Sequence, residues 1–265
     1  MQHIQMVHPP HILSGEFPAS GGKAQGLLAL LRNGMQVPDF AIVPAAEAAR
    51  AKPEDLGDLA EAFLVGRRSD ARLAVRSSSS IEDRAACAGA GLGLTVLNVT
   101  GRAALAYAMQ CVADSLESPV MAAYRARLGP AGRAKHGAPG DAVILQEMVR
   151  PEVSGVLFTC DPLTADPSQL SVEATAGPCH EVVEGWATAV AMIDRLTGAT
   201  RRGGSRAEIL TRTRLDALMD LADRHDAAVG LRADIEFAFL RDDTGRETLT
   251  LLQSRPVTTR ATTRL

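Results

Sequence analysis

Two apolar runs near the C-terminus constrain this chain more than any other stretch: Ala233-Asp-Ile-Glu-Phe-Ala-Phe-Leu and Leu249-Thr-Leu-Leu-Gln-Ser-Arg-Pro. A polar turn, Arg241-Asp-Asp-Thr-Gly-Arg246, joins them, so the pair reads as an antiparallel hairpin. Strand alternation puts Asp234, Glu236 and Ala238 on one face and Ile235, Phe237 and Phe239 on the other. On the second strand it puts Leu251, Gln253 and Arg255 together. A carboxylate, a carboxamide and a guanidinium therefore come from two strands that otherwise read as core. Burying such groups costs several kcal/mol unless each finds a partner. Two readings stay open on this stretch alone. Glu236 and Arg255 pair with each other, or the cluster serves a metal-bound polyphosphate, with Glu236 and Gln253 supplying oxygens to Mg²⁺ and Arg255 binding phosphate oxygens.

The bulk properties narrow the function classes. A chain of 265 residues can bury a substantial core as one domain or two lobes. The formal net charge of −3 and 3% aromatic content give neither the basic footprint nor the stacking platforms of nucleic-acid binders. No apolar run reaches the ~18 residues of a membrane span, and the first residues lack a signal-peptide pattern, so the expectation is a cytoplasmic protein with no membrane partner. Cys87, Cys111, Cys160 and Cys179 have no metal-ligand spacing and read as reduced thiols.

Residues 1–20, with His3, His8 and His11, read as an irregular lead-in. Ser20-Gly-Gly-Lys-Ala-Gln-Gly26 opens a helix whose apolar face is Leu27, Leu28, Leu30 and Leu31. Glycines and a lysine at a helix start suit a phosphate, through free N–H groups and the positive end of the dipole; an ordinary glycine turn has the same composition. Val37–Val43 reads as a strand, 44–65 as two short helices broken at Pro53, and Leu73-Ala-Val-Arg-Ser-Ser-Ser-Ser-Ile-Glu-Asp83 as a buried strand entering a hydroxyl-rich turn. Thr95–Val99 is strand-like, and 102–127 is helical with an interruption at Pro119. Residues 129–140, rich in Gly, Pro and basic side chains, read as a hinge that separates an N-terminal lobe (21–128) from a C-terminal lobe (141–265). Beyond it come strands at 142–149, 155–159, 170–174 and 188–193, an amphipathic helix at Arg212–Val229, and the hairpin.

Six motifs in this order resemble the N-terminal ATP-binding region of phosphoenolpyruvate synthase, pyruvate phosphate dikinase and the rifampicin phosphotransferases. They are Gly21-Gly-Lys-Ala with Val37-Pro-Asp-Phe; Ala74-Val-Arg-Ser-Ser-Ser-Ser-Ile-Glu-Asp with Gly91 and Leu97-Asn-Val; Gln146-Glu-Met-Val; Val153-Ser-Gly-Val-Leu-Phe-Thr-Cys-Asp-Pro; Asp234-Ile-Glu-Phe-Ala; and Leu252-Gln-Ser-Arg-Pro-Val-Thr. The resemblance implies an α+β ATP-grasp fold, two lobes with mixed or antiparallel sheets enclosing a nucleotide cleft. It implies ATP and Mg²⁺ as ligands. It assigns Lys23 and Arg76 to phosphate binding, and the strand Gln146, Glu147, Met148 and Val149 to the adenine edge. It assigns Glu173 to the ribose, Glu236 and Gln253 to Mg²⁺, and Arg255 to phosphate, with Arg76 and Arg255 acting on the reacting phosphates.

The chain departs from that pattern at Gly177-Pro-Cys-His180, where relatives carry Gly-Leu-Gly-Glu, and at Gly89-Ala-Gly-Leu-Gly93; the stretch 50–72 is shorter than usual. None of its six histidines lies in a phosphohistidine context, and His136, His180 and His225 read as surface or loop residues. The expectation is an ATP-binding component that donates a phosphoryl group to a histidine on a separate, acceptor-binding partner chain. A direct small-molecule kinase, with Glu82 or Asp83 as base, and a catalytically weakened nucleotide-binding regulatory module are the other readings.

Overall fold

The computed structural model describes residues 21–79, 93–127, 140–178, 182, 187–230 and 232–257. The lead-in, Glu82, Asp83, Cys87, Gly91, most of the expected hinge, His136, Cys179 and His180 lie outside these residues. The chain divides into two compact units, residues 1–28 with 38–148 and residues 29–37 with 149–265. Both are α+β, as the sequence leads one to expect.

In the first unit, a four-stranded sheet has the order β1-β4-β2-β3, with β1 Phe40–Pro44, β2 Leu73–Ser78, β3 Thr95–Val99 and β4 Ala142–Glu147. Every pairing is antiparallel. Helix α1 (Gly21–Arg32) precedes it; α2 (Ala45–Arg50), α3 (Pro53–Leu64), α4 (Arg102–Leu116) and α5 (Pro119–Arg127) follow. Alternation gives the sheet one apolar face, where Val43, Leu73, Val75, Val143 and Leu145 pack with Leu56 and Phe63 of α3 and Leu105, Met109 and Val112 of α4. The opposite face carries Arg76 and Gln146.

The expected division at 129–140 is corrected here. Strand β4 lies beyond that stretch yet inserts between β1 and β2, Ile42 facing Ile144 and Arg76 facing Ile144 from the other side. Its apolar run, Ala-Val-Ile-Leu, carries no local mark of which sheet receives it. The division falls between Met148 and Val149, and a second crossing lies inside α1, whose Leu30 belongs to the core of the second unit.

The second unit is built on a six-stranded antiparallel sheet, order β10-β9-β5-β6-β7-β8: β5 Val153–Phe158, β6 Gln169–Ala176, β7 Ala189–Asp194, β8 Thr200–Gly203, β9 Ala233–Arg241 and β10 Glu247–Pro256. Helix α6 spans Arg212–Val229, the same bounds that the apolar periodicity predicts. The Thr211 hydroxyl accepts the Arg214 N–H at its start (3.3 Å). Leu215, Leu218, Leu221 and Ala222 of α6 pack on Leu157, Val172, Ile235 and Phe237. Strand β8, Thr-Arg-Arg-Gly, lacks the β-branched alternation that reveals the others and was not expected.

A salt-bridge network ties α6 to the far end of the hairpin. The buried Arg214 guanidinium binds Glu247 (2.5 Å) and Glu152 (3.3 Å), and Arg241 grips Glu152 as well. The Arg241 hydrogen bond holds the Glu152 carboxyl below its ordinary value.

His225 is not a surface residue. It faces the core from α6, 1% exposed, with Nε2 2.9 Å from the Ser254 hydroxyl of β10. Burial lowers its pKa below 6.5, against the pull of Asp226. Because the folded pKa is the depressed one, the unfolded chain takes up the proton first on acidification, and stability is lost as pH falls below about 6.5. His225→Gln is therefore expected to flatten the fall in urea midpoint between about pH 7.5 and pH 5.5; an unchanged slope refutes this source of acid sensitivity.

Candidate functional site

The first unit positions its polar groups through one close backbone contact. Gly21 opens α1 at φ +64°, and a Cβ there would lie 2.4 Å from the Ser78 carbonyl. Only glycine allows that approach. It seats the helix start on the end of β2: the Ala24 N–H donates to the Ser78 hydroxyl (3.0 Å), and the Gly22 N–H reaches the Ser79 carbonyl (3.4 Å). Two of the N–H groups that the sequence offered to a phosphate are thus used inside the protein. The glycines serve packing of helix on strand, and Lys23, half-buried on the first turn, keeps its place beside them.

Two residues before Ser78, Arg76 projects from the same strand. Its Nη1 donates to Gln146 Oε1 on β4 (3.4 Å), and Gln146 is 4% exposed. The strand end beyond Gln146 is also tied down: the Glu147 N–H donates to the Asp39 carbonyl and the Met148 N–H to the Arg72 carbonyl, both at 2.8 Å.

In the second unit the strand registers assemble a polar face from four strands. Glu173 of β6 faces Val156 of β5, Val156 faces Glu236 of β9, and Glu236 faces Gln253 of β10, so the four form one row across the sheet. The next row is Ser171, Phe158, Asp234 and Arg255. Glu173, Glu236, Gln253 and Arg255, singled out separately in the sequence, are thus brought onto one surface, with Val156, Phe158 and Leu252 as its apolar floor.

The hairpin register differs from simple alternation. Leu251 faces Phe237 in the core, Leu252 is the extra residue of a β-bulge, and Gln253 faces Glu236. Alternation had grouped Leu251 with Gln253 and Arg255. The bulge returns Leu251 to the core and carries the two polar side chains to the opposite face. A one-residue insertion reverses every side chain beyond it.

The register also changes the ion pair. Arg255 meets Asp234: Nε donates to Oδ2 at 2.8 Å and Nη2 lies 2.7 Å from the same oxygen. Asp234 is 8% exposed. Burial raises its carboxyl above the ordinary 3.8, Arg255 pulls it down, and the neighbouring charges of Glu236 and Glu173 raise it further. Sequence reasoning gave Asp234 no role. Its position two residues before Glu236, on the same strand face, was the available signal.

Gln253 has the clearest unmet demand on this face. It is 3% exposed, and among the described residues nothing donates a hydrogen bond to its Oε1. An amide oxygen left in that state costs ~1–3 kcal/mol, so its presence fits an oxygen-seeking cation. Among the described residues, no group of three or more His, Cys, Asp or Glu side chains is arranged to hold a metal. Beyond the row, Gly177 closes the β6 end: its carbonyl accepts from the Ser154 hydroxyl (2.5 Å) and its N–H donates to the Glu152 carbonyl (2.9 Å).

A family model described as pyruvate phosphate dikinase, AMP/ATP-binding domain, matches residues 52–195. The rifampicin phosphotransferase of Bacillus cereus is 29% identical over 231 residues, covering 78% of this chain and 26% of that protein. A probable phosphoenolpyruvate synthase of Methanothermobacter thermautotrophicus is 28% identical over 218 residues, covering 72% of this chain and 30% of that protein. The chain thus spans about a quarter of the length of the curated relatives it matches. Among solved structures, D-alanyl-alanine synthetase A of Vibrio cholerae aligns with 91% of this chain and 56% of its own at 14% identity and a TM-score of 0.44.

Proposed function

Since the chain belongs to the pyruvate phosphate dikinase AMP/ATP-binding domain family, we propose that it is an ATP-grasp component that binds Mg·ATP and donates a phosphoryl group to a histidine on a separate partner chain. The observation that carries this reading is the row Glu173, Val156, Glu236, Gln253, in which a buried amide oxygen without a hydrogen bond faces a carboxylate across adjacent strands.

In this reading Glu236 and Gln253 Oε1 hold Mg²⁺, and Glu173 accepts from the ribose. Bound there, Mg²⁺ offsets charge on the phosphate oxygens. Phosphoryl transfer is mostly positioning and neutralisation of those oxygens, so on the sheet of the second unit the protein's share falls to Arg255. The adenine edge falls to the segment 146–149. The Glu147 and Met148 N–H groups of that segment are engaged within the protein.

Among the described residues no helix is long and apolar enough to cross a membrane. The chemistry is tested by product analysis. The chain is incubated with Mg·ATP and with a chain carrying a histidine acceptor domain. AMP with phosphate and an acid-labile phosphohistidine on the partner is the expected result. ADP formed without phosphohistidine replaces this reading with a direct small-molecule kinase, and tight binding without turnover replaces it with a regulatory module.

A further inference from the structure

We propose that Asp234 is the positioning residue of this site: its ion pair orients the Arg255 guanidinium for the phosphate chain. This rests on the nucleotide reading above and extends it to a residue that reading does not use.

Three observations carry the inference. The register pairs Asp234 with Arg255, one rung beyond Glu236 and Gln253, so the ion pair borders the cation ligands on the same face. The grip has two points: Nε and Nη2 converge on Oδ2 at 2.8 and 2.7 Å, which fixes both the direction and the plane of the guanidinium. The exposure is asymmetric, the Asp234 side chain being 11% exposed and that of Arg255 40%. The carboxylate is the more buried end of the pair.

A guanidinium has five N–H donors in a rigid fork, so a carboxylate that engages one edge also sets where the others point. Arginine otherwise loses much of its rotamer freedom when it is immobilised on a ligand. An arginine already held by Asp234 has given up much of that freedom before the ligand arrives, which is preorganisation. The charged groups facing Asp234 are Arg255 from β10, Glu236 from its own strand and Glu173 from β6; β5 presents Phe158.

The test is a double-mutant cycle read by titration of the 265-residue chain with Mg·ATP, using wild type, D234N, R255A and D234N/R255A. D234N is expected to weaken Mg·ATP about tenfold and to leave adenosine affinity unchanged. In the R255A background it is expected to add less than about twofold, because an effect routed through Arg255 vanishes with it. D234E, which keeps the carboxylate, is expected to recover at least about threefold of the loss. D234N at wild-type affinity, or penalties that multiply in full, overturns the inference alone. A wild-type chain that fails to bind Mg·ATP overturns the nucleotide reading and the inference with it. Should D234N fail to fold, D234S replaces it with the same expected loss.

Discussion

Glu236→Gln is expected to weaken Mg·ATP binding by at least the ~10–100-fold typical of losing an outer-shell partner of a bound metal, since here a direct oxygen charge is removed. The fold is expected to survive, because Glu236 raises the carboxyl pKa of Asp234 and its neutralisation relieves that strain. The companion variant Gln253→Leu makes the prediction sharper, because function and stability move in opposite directions. Replacing the amide with an apolar side chain of similar volume removes a buried acceptor that has no partner. Stability is expected to rise by ~1 kcal/mol, read as a higher urea midpoint, while Mg·ATP affinity falls as for Glu236→Gln. Natural sites keep such costs where activity needs them. If Gln253→Leu binds Mg·ATP as wild type does, the amide is a structural residue and the cation site lies elsewhere.

The second large effect is on folding. Gly155→Val is expected to destabilise the chain by ~3 kcal/mol or more, enough to remove much of the stability of a typical domain. Gly155 lies in the middle of β5, between β6 and β9. A Cβ there would lie 2.1 Å from the Glu173 carbonyl and 2.9 Å from the Ala174 Cα. These are backbone atoms of the neighbouring strand, so no rotamer change relieves the contact. The site would be affected too, because the displaced segment of β6 carries Glu173 into the polar row. Urea unfolding of Gly155→Ala and Gly155→Val measures the effect. A loss under ~1 kcal/mol for valine would mean that the sheet opens at this point more readily than its pairing implies.

Much of the architecture was legible. Helix α6 carries its apolar residues at helical spacing and is bounded by a capping threonine, and its observed limits are those expected. Pro53 and Pro119 mark the starts of α3 and α5, where a missing N–H does no harm. The hairpin strands also lie where the apolar runs put them.

Other features depended on what lies across from each segment. Strand β4 reads as apolar wherever it goes, and only pairing with β1 and β2 assigns it to the first unit. The helix start at Gly21 resembles a phosphate loop until Ser78 and Ser79 are seen to take its N–H groups. His225, in a stretch of polar helix, becomes a core residue because Ser254 of a strand 29 positions away faces it.

The hairpin shows both sides of this division in one motif. Sequence alone determined that Glu236, Gln253 and Arg255 would come from two adjoining strands, because side-chain chemistry and strand periodicity are local properties of the chain. Tertiary structure decided which of them share a rung. The bulge at Leu252 sets Gln253 opposite Glu236 and gives Arg255 to Asp234, and the neighbouring strands add Glu173 to the row. Register is a property of two strands at once, chosen by which pairing buries Leu251, Ile235 and Phe237 together. No single strand carries that information.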